Sequence, residues 1–361
     1  MTARRRKRLD PSVFQLPADR LKAGEFAEQA MALAANVLRG AKKSPRVTMQ
    51  ITAKQGGWLA GIDEAIAILK VGVDDWSALT VNALYEGDLV EEWDTAITIE
   101  GEYGAFAHLE TALLGVLSHR TRVCTNIREI VDIARTKTVL FLGARGEHYA
   151  MQPGDGFAAM IGGAKQVSTA AHGALLNGRV VAVVPHALIA AFGGNTVAAT
   201  KALAAQLPDD VHLLVLVDYE NDVARTAVEV AAAIGERLWA VRLDTSEHMV
   251  DKSLLSQLGS FRPTGVNPQL VWNVRKSLDA EGFGDVQIVV SGGFDAERVQ
   301  DFEDEGAPVD AYGIGSAAYK GSFDFTADIV AVNGKAQARA GRKLRENPKL
   351  ERVKRAGMGD G

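Results

Sequence analysis

A single cysteine, Cys124, stands in 361 residues. One thiol cannot close an intrachain disulfide or supply a cysteine cluster, so no structural zinc is expected and the cytoplasm is the fitting compartment. Long apolar runs are missing as well: none approaches the roughly 20 residues that cross a bilayer, so no membrane role is expected. The opening MTARRRKRLD is basic but leads into no apolar stretch. It reads as a solvated, disordered arm over residues 1–15, not as a secretion signal. Positive charge is not in excess either, since the net charge is −5, and that argues against a dedicated nucleic-acid partner. What the chain does have is 47% hydrophobic residues, enough at this length for a large core and two domains.

The pattern changes once along the chain. Over 16–135, an amphipathic helix at 18–39 is followed by the strand-like VTMQITA, a helix around GIDEAIAILKV, a turn-rich strand region and a helix through AHLETALLGVLSH. That mixture predicts an α+β N-terminal domain. Over 136–325 the order becomes strand, loop, helix, repeated. Seven strand candidates are TVLFLGA, an unclear one ending near Val167, RVVAVV, VHLLVLVD, LWAVRLD, VQIVVSGG and VDAYGIG. Most are nearly continuous apolar runs, as strands covered on both faces are. The fold class predicted is α/β, an irregular parallel β/α barrel preceded by the α+β domain. Residues 326–361 are expected to pack back on the N-terminal domain and end in a disordered tail.

Barrel chemistry collects at the C-terminal ends of the strands, here marked by Arg145, Ser168, His186, Asp218, Arg242 with Asp244, Ser291 and Gly313. Two glycine segments stand out among them: VVSGGFDAERV from Val289, with Asp295 placed as an N-cap, and VDAYGIGSA from Val309. Backbone N–H groups in paired turns of this kind form an anion cradle, and a ribose phosphate is the first ligand to consider. In LWAVRLD a period of two puts Arg242 and Asp244 on one face. Such a pair at the end of a buried strand is either a structural ion pair or a ligand-binding pair. The neighbours Glu147, His148, Asp155 and His172 match no metal-ligand spacing and read as solvated loop residues.

Several ordered segments resemble the nicotinate phosphoribosyltransferases, within the type II phosphoribosyltransferases. They are IEGEYGAFAHLETALLGVLSHRT, FLGARGEHYAMQPGDGFAAMIGGAKQVST, PHALI, VRLDT, the long stretch from Gly265 to Ser316, and FTADIVAVNGKAQARAGR. The resemblance implies transfer of ribose 5-phosphate from phosphoribosyl pyrophosphate to nicotinate, giving nicotinate mononucleotide and pyrophosphate in NAD biosynthesis. It implies that Ser291, Gly292, Gly293, Gly313, Gly315 and Ser316 hold the 5-phosphate. Asp244 and Asp218 would meet ribose hydroxyls or Mg²⁺, and Arg145 and Arg242 would neutralise pyrophosphate or the nicotinate carboxylate. His186 falls where that family places a histidine transiently phosphorylated by ATP, which makes ATP a co-substrate. The resemblance also implies a homodimer or higher homo-oligomer whose N-terminal domain covers the barrel mouth of a second subunit.

The departures gather at the base end. Val183 and Val184 replace a Gly-Thr before Pro185-His186, Gly146 replaces a second arginine after Arg145, and Phe26-Ala27-Glu28 replaces a Tyr-Ser-Asp. Phe26 either stacks on the base or belongs to the core. Ser168 stands where nicotinamide-using relatives carry an aspartate, which favours an acid; Ser168 and Thr169 are equally ordinary backbone-capping residues. Two rivals share the fold. A quinolinate phosphoribosyltransferase would use the same donor without ATP, but its second carboxylate asks for further Arg or Lys, and no cluster of them is evident. A non-catalytic phosphoribosyl-ligand sensor would use the basic arm for an acidic partner.

Overall fold

The computed structural model describes residues 7–208, 210–259 and 261–354; the first six residues of the expected arm and the expected tail at 355–361 lie outside them. The chain divides into two compact units, one formed by Met1–Thr125 with Gly321–Gly361, the other by Asn126–Lys320. The helix Glu110–Ala134 contributes to both. No helix among the described residues is long and apolar enough to cross a membrane.

The first unit is built on a six-stranded sheet. Its central strand, Arg46–Ala53, pairs antiparallel with Thr95–Glu102 and with Phe325–Val332. Both faces of this strand are covered. Met49, Ile51 and Ala53 belong to the apolar core, while Gln50 and Thr52 are also buried. Gln50 is accommodated because the chain after Phe325–Val332 folds over that face: its amide donates to Lys343 O at 2.9 Å and accepts from Arg345 N at 3.0 Å. Asn347 donates to Thr95 O, and the guanidinium of Arg342 lies 4.7 Å from the Trp93 ring centroid. These partners satisfy polar groups that burial would otherwise penalise.

Two expectations for this unit need correction. The single helix expected over 18–39 is two helices, Ala18–Lys22 and Gln29–Gly40. They are parted at Gly24, whose φ of +70° suits glycine and beside which Ala32 Cβ would lie 3.3 Å from an added side chain. The arm expected to be solvated through residue 15 is held from Arg8 onward. Arg8 pairs with Asp63 at 3.0 Å, donates to Ala83 O and stacks 4.1 Å over Tyr85, and Leu9 N donates to Asp63 at 2.8 Å.

The second unit contains an eight-stranded parallel sheet. Its two terminal strands, Arg179–Val180 and Ala182–Val184, are separated only by Val181. One pairs with Gln166–Val167 and the other with Leu213–Leu216, so the sheet curls round and closes through a single stretch of chain. Counting that stretch once leaves the seven strands expected from sequence. Side chains alternate in and out. Leu140, Val181, Leu214, Ala240, Val289 and Ala311 form one buried interior layer. Two residues further along each strand stand Leu142, Val183, Leu216, Arg242, Ser291 and Gly313, and this layer forms the floor of the C-terminal rim. It is apolar except at Arg242 and Ser291.

Candidate active site

Arg242 ends its strand inside the rim, with a side chain only 17% exposed, so its charge must be met locally. Its Nη2 donates to Asp244 Oδ2 at 3.1 Å and its Nε to Ser291 Oγ at 2.6 Å, while Ser291 Oγ donates to Asp244 Oδ1 at 2.8 Å. A closed ring of three polar side chains thus joins two neighbouring strand ends. Gly292 follows with φ +87°, and a Cβ there would stand 3.0 Å from Asp244 Oδ1; Gly293 has φ +76°. This turn requires glycine twice, once for conformation and once also for room beside the carboxylate. Asp295 caps the helix Ala296–Asp304 by accepting from Arg298 N, and the ammonium of Lys320 holds the Asp295 carboxyl below its usual range.

The second glycine turn ends the adjacent parallel strand, Ala311–Ile314. Gly313 is buried beneath the first turn: an added Cβ would come 2.7 Å from Leu142 Cδ1 and 3.1 Å from Ser291 Cβ. Gly315 has no such crowding, its nearest neighbour being Leu142 O at 3.6 Å, and Ser316 is exposed.

Beside these turns lies a cavity of about 600 Å³ that brings together Arg145, Ser168, Thr169, His186, Arg242 and Asp244. They come from four separate strand ends. Arg145 makes no hydrogen bond or ion pair among the described residues, which leaves its guanidinium available to a ligand. His186 opens the helix His186–Ala191, and its Nε2 lies 2.9 Å from Oδ1 of the nearly buried Asp218. That hydrogen bond raises the His186 pKa; burial pulls it back, and the Asp218 and Asp244 charges add to the rise. Thr169 is a capping residue, accepting from His172 N at 3.1 Å. Phe26 belongs to the first unit, where Arg20 lies 4.8 Å over its ring.

The phosphate-acceptor role expected of His186 meets a ring whose Nε2 faces the Asp218 carboxylate, a contact that orients the imidazole and leaves Nδ1 unoccupied by it. The carboxylates expected to meet Mg²⁺, Asp244 and Asp218, face Arg242, Ser291 and His186, and a magnesium ion asks for only one or two such carboxylates beside substrate phosphate oxygens. His172 and Asp155, expected as solvated loop residues, are 0% and 1% exposed. Nothing in their immediate sequence signals this. The helix Gln152–Ile161 buries Asp155, and His172 lies on a four-residue helix too short to show a period. The absence of a second arginine after Arg145 has a steric cause as well: a Cβ at Gly146 would lie 2.4 Å from the Tyr319 ring.

Comparison with known proteins fits this geometry and decides the family. Residues 31–121 match the N-terminal domain of quinolinate phosphoribosyl transferase, and residues 123–326 match its C-terminal domain. A nicotinate-nucleotide pyrophosphorylase from Pyrococcus furiosus is similar over 93% of this chain and 84% of its own, at 31% identity and a TM-score of 0.77. The human nicotinic acid phosphoribosyltransferase shares the fold at 18% identity, over 93% of this chain and 77% of that one, with a TM-score of 0.67. Among curated proteins, the nicotinate phosphoribosyltransferase of Bacillus subtilis is 27% identical over 65% of this chain and 44% of its own length. The chain therefore spans about half the length of that curated relative. The expected membership of the nicotinate phosphoribosyltransferases is overturned by the two domain matches and the Pyrococcus structure, and the ATP co-substrate goes with it. The chain belongs to the quinolinate phosphoribosyl transferase family.

Proposed function

We propose that this protein transfers the 5-phosphoribosyl group of phosphoribosyl pyrophosphate to the ring nitrogen of quinolinate. The C1–diphosphate bond breaks with its electrons leaving on pyrophosphate, the C1–N bond forms, and the 2-carboxylate departs as CO₂. The carbon it leaves takes a proton, which gives nicotinate mononucleotide. The observation that carries this reading is the cavity that gathers Arg145, His186 and Arg242 beside the ring of Arg242, Asp244 and Ser291. Quinolinate brings two carboxylates, and cations are available for both. They are scattered at positions 145, 186 and 242, which is why no cluster is evident in the sequence. Arg242 is already compensated by Asp244, so Arg145 and His186, whose pKa the Asp218 hydrogen bond raises, are assigned to the carboxylates. The Ser291–Gly293 and Gly313–Ser316 turns are assigned to the 5-phosphate, and Asp244 to the ribose hydroxyls. Departure of pyrophosphate leaves an oxocarbenium-like carbon, so the residues act by positioning and electrostatics, without covalent attack.

Release of pyrophosphate and of CO₂ from phosphoribosyl pyrophosphate and quinolinate, without ATP, tests the reading. Turnover with quinolinate is expected, and Arg145→Ala should raise the quinolinate KM by about 10- to 100-fold while leaving the KM of the donor unchanged. Turnover with nicotinate alone would overturn it, and tight donor binding with no turnover on any base would favour a sensor. A homodimer belongs to the same proposal. The helix Gln29–Gly40 buries none of its residues in its own chain, and Val37 is 65% exposed. An apolar face of this kind suits a second copy. Light scattering should give twice the chain mass, with Val37→Lys shifting it toward the monomer; a monomeric wild-type protein would end that part of the proposal.

A further inference from the structure

Two hydroxyls line the cavity, and only one is free to meet a ligand. Thr169 donates its proton to Gln152 Oε1 at 3.0 Å and accepts from His172 N at 3.1 Å. Ser168 Oγ has the ring Nδ1 of His172 at 3.4 Å. That ring is fixed in place. It is wholly buried and its centroid lies 4.8 Å from that of Phe141. Its backbone presses against Gly156, where any Cβ would come within 2.1 Å of His172 O. Its Nε2 has no hydrogen-bond partner among the described residues. Burial lowers the His172 pKa against an opposing pull from Asp155, so the ring is neutral near pH 7.

A neutral imidazole carries one proton, and its position sets how Ser168 behaves. With the proton on Nε2, a buried N–H would lack any acceptor, and Nδ1 would draw the Ser168 proton away from the cavity. With the proton on Nδ1, the ring donates to Ser168 Oγ and leaves only a lone pair unmatched at Nε2. Folded proteins orphan a buried N–H more rarely than an acceptor. The second arrangement frees the Ser168 hydroxyl to donate outward.

We propose that His172 is a positioning residue which, by donating from Nδ1, presents Ser168 to the cavity as a hydrogen-bond donor and so favours a pyridine carboxylate over a carboxamide. This rests on the reading of the cavity as the site of the pyridine base. A hydroxyl donor gains more from a charged carboxylate than from an amide oxygen, and a Ser168 that accepted instead would suit an amide N–H.

The test is steady-state kinetics with quinolinate, joined to inhibition by nicotinate and by nicotinamide, on the full chain and four variants. His172→Phe keeps the ring packing and should raise the quinolinate KM about tenfold. kcat and the donor KM should stay within about threefold, and nicotinate should lose its advantage over nicotinamide. His172→Asn restores an N–H donor near the Nδ1 position and should recover most of the loss. Ser168→Ala should match His172→Phe, and the double variant should be no worse than either. An unchanged KM in His172→Phe, or a double variant whose losses multiply, overturns the inference. Should His172→Phe fail to fold, Ser168→Ala with and without His172→Asn carries the same cycle. A wild-type protein that ignores quinolinate sinks the functional reading, while the nicotinate-to-nicotinamide comparison still decides this one.

Discussion

Asp244→Asn should lower kcat/KM for phosphoribosyl transfer by about 10³-fold, with the fold intact by circular dichroism. The substitution keeps size and shape, so what it removes is charge. In the wild-type protein both carboxylate oxygens are in use, one accepting from Arg242 Nη2 at 3.1 Å and the other from Ser291 Oγ at 2.8 Å. An asparagine can offer one acceptor and one donor. If its oxygen faces Ser291, its N–H₂ faces the Arg242 guanidinium, two donors opposed. If it faces Arg242, the Ser291 hydroxyl loses its acceptor and can swing to Leu243 O, now at 3.3 Å. Either way the start of the Gly292–Gly293 turn is no longer fixed, and the cation at the rim is left without its counter-charge. An effect under about tenfold would return Arg242 and Asp244 to a purely structural ion pair in the barrel interior.

Much of this architecture is legible in the letters, and the limits are physical. Buried parallel strands read as nearly continuous apolar runs, so most of the barrel strands show, while the stretch ending near Val167 is unclear because it forms only a two-residue strand. Turn chemistry is equally local: the glycines at 292 and 293 and the cap at Asp295 announce themselves. The pairing of Arg242 with Asp244 follows from a period of two. What depends on closure of the barrel does not show. The cavity cations come from strand ends far apart in sequence, and Asp155 and His172 are buried by helices that pack against one another at Gly156. The nicotinate resemblance is strongest from Gly265 to Ser316, the stretch with the phosphate turns. A quinolinate enzyme uses the same donor, so those residues cannot distinguish the two bases. Residues 326–361 are expected to pack back on the first domain, but that Lys343 and Arg345 cover Gln50 does not show, since the ties are single hydrogen bonds from an irregular segment.

Arg120→Met should destabilise the protein by about 3–5 kcal/mol at pH 8 and by only about 1 kcal/mol at pH 5, read by urea unfolding. Arg120 and Glu64 form a buried pair, with Nε 2.9 Å and Nη2 3.4 Å from the two carboxylate oxygens. Methionine fills most of the volume but leaves Glu64 uncompensated among acids. Asp63 is its neighbour, and Glu86 accepts from the backbone N–H groups of Gly61 and Asp63 at 2.9 and 2.7 Å. Burial first, then the charge of Asp63, pushes the Glu86 pKa up from 4.5 to about 8. The sign follows from proton counting. Between pH 4.5 and 8 the unfolded chain has released the Glu86 proton while the folded chain still holds it, so wild-type stability declines as pH rises through that window. Removing Arg120 adds a second buried carboxyl to the same region and steepens the decline. At pH 5 that carboxyl can shed its charge by taking up a proton, and at pH 8 it cannot without a large cost. Arg120→Met combined with Glu64→Leu removes both charges and should regain most of the loss, because an apolar pair of similar volume needs no compensation. Equal losses at both pH values, or no recovery in the double variant, would mean that the packing of the Arg120 stem against Gly61, and not its charge, holds this corner together.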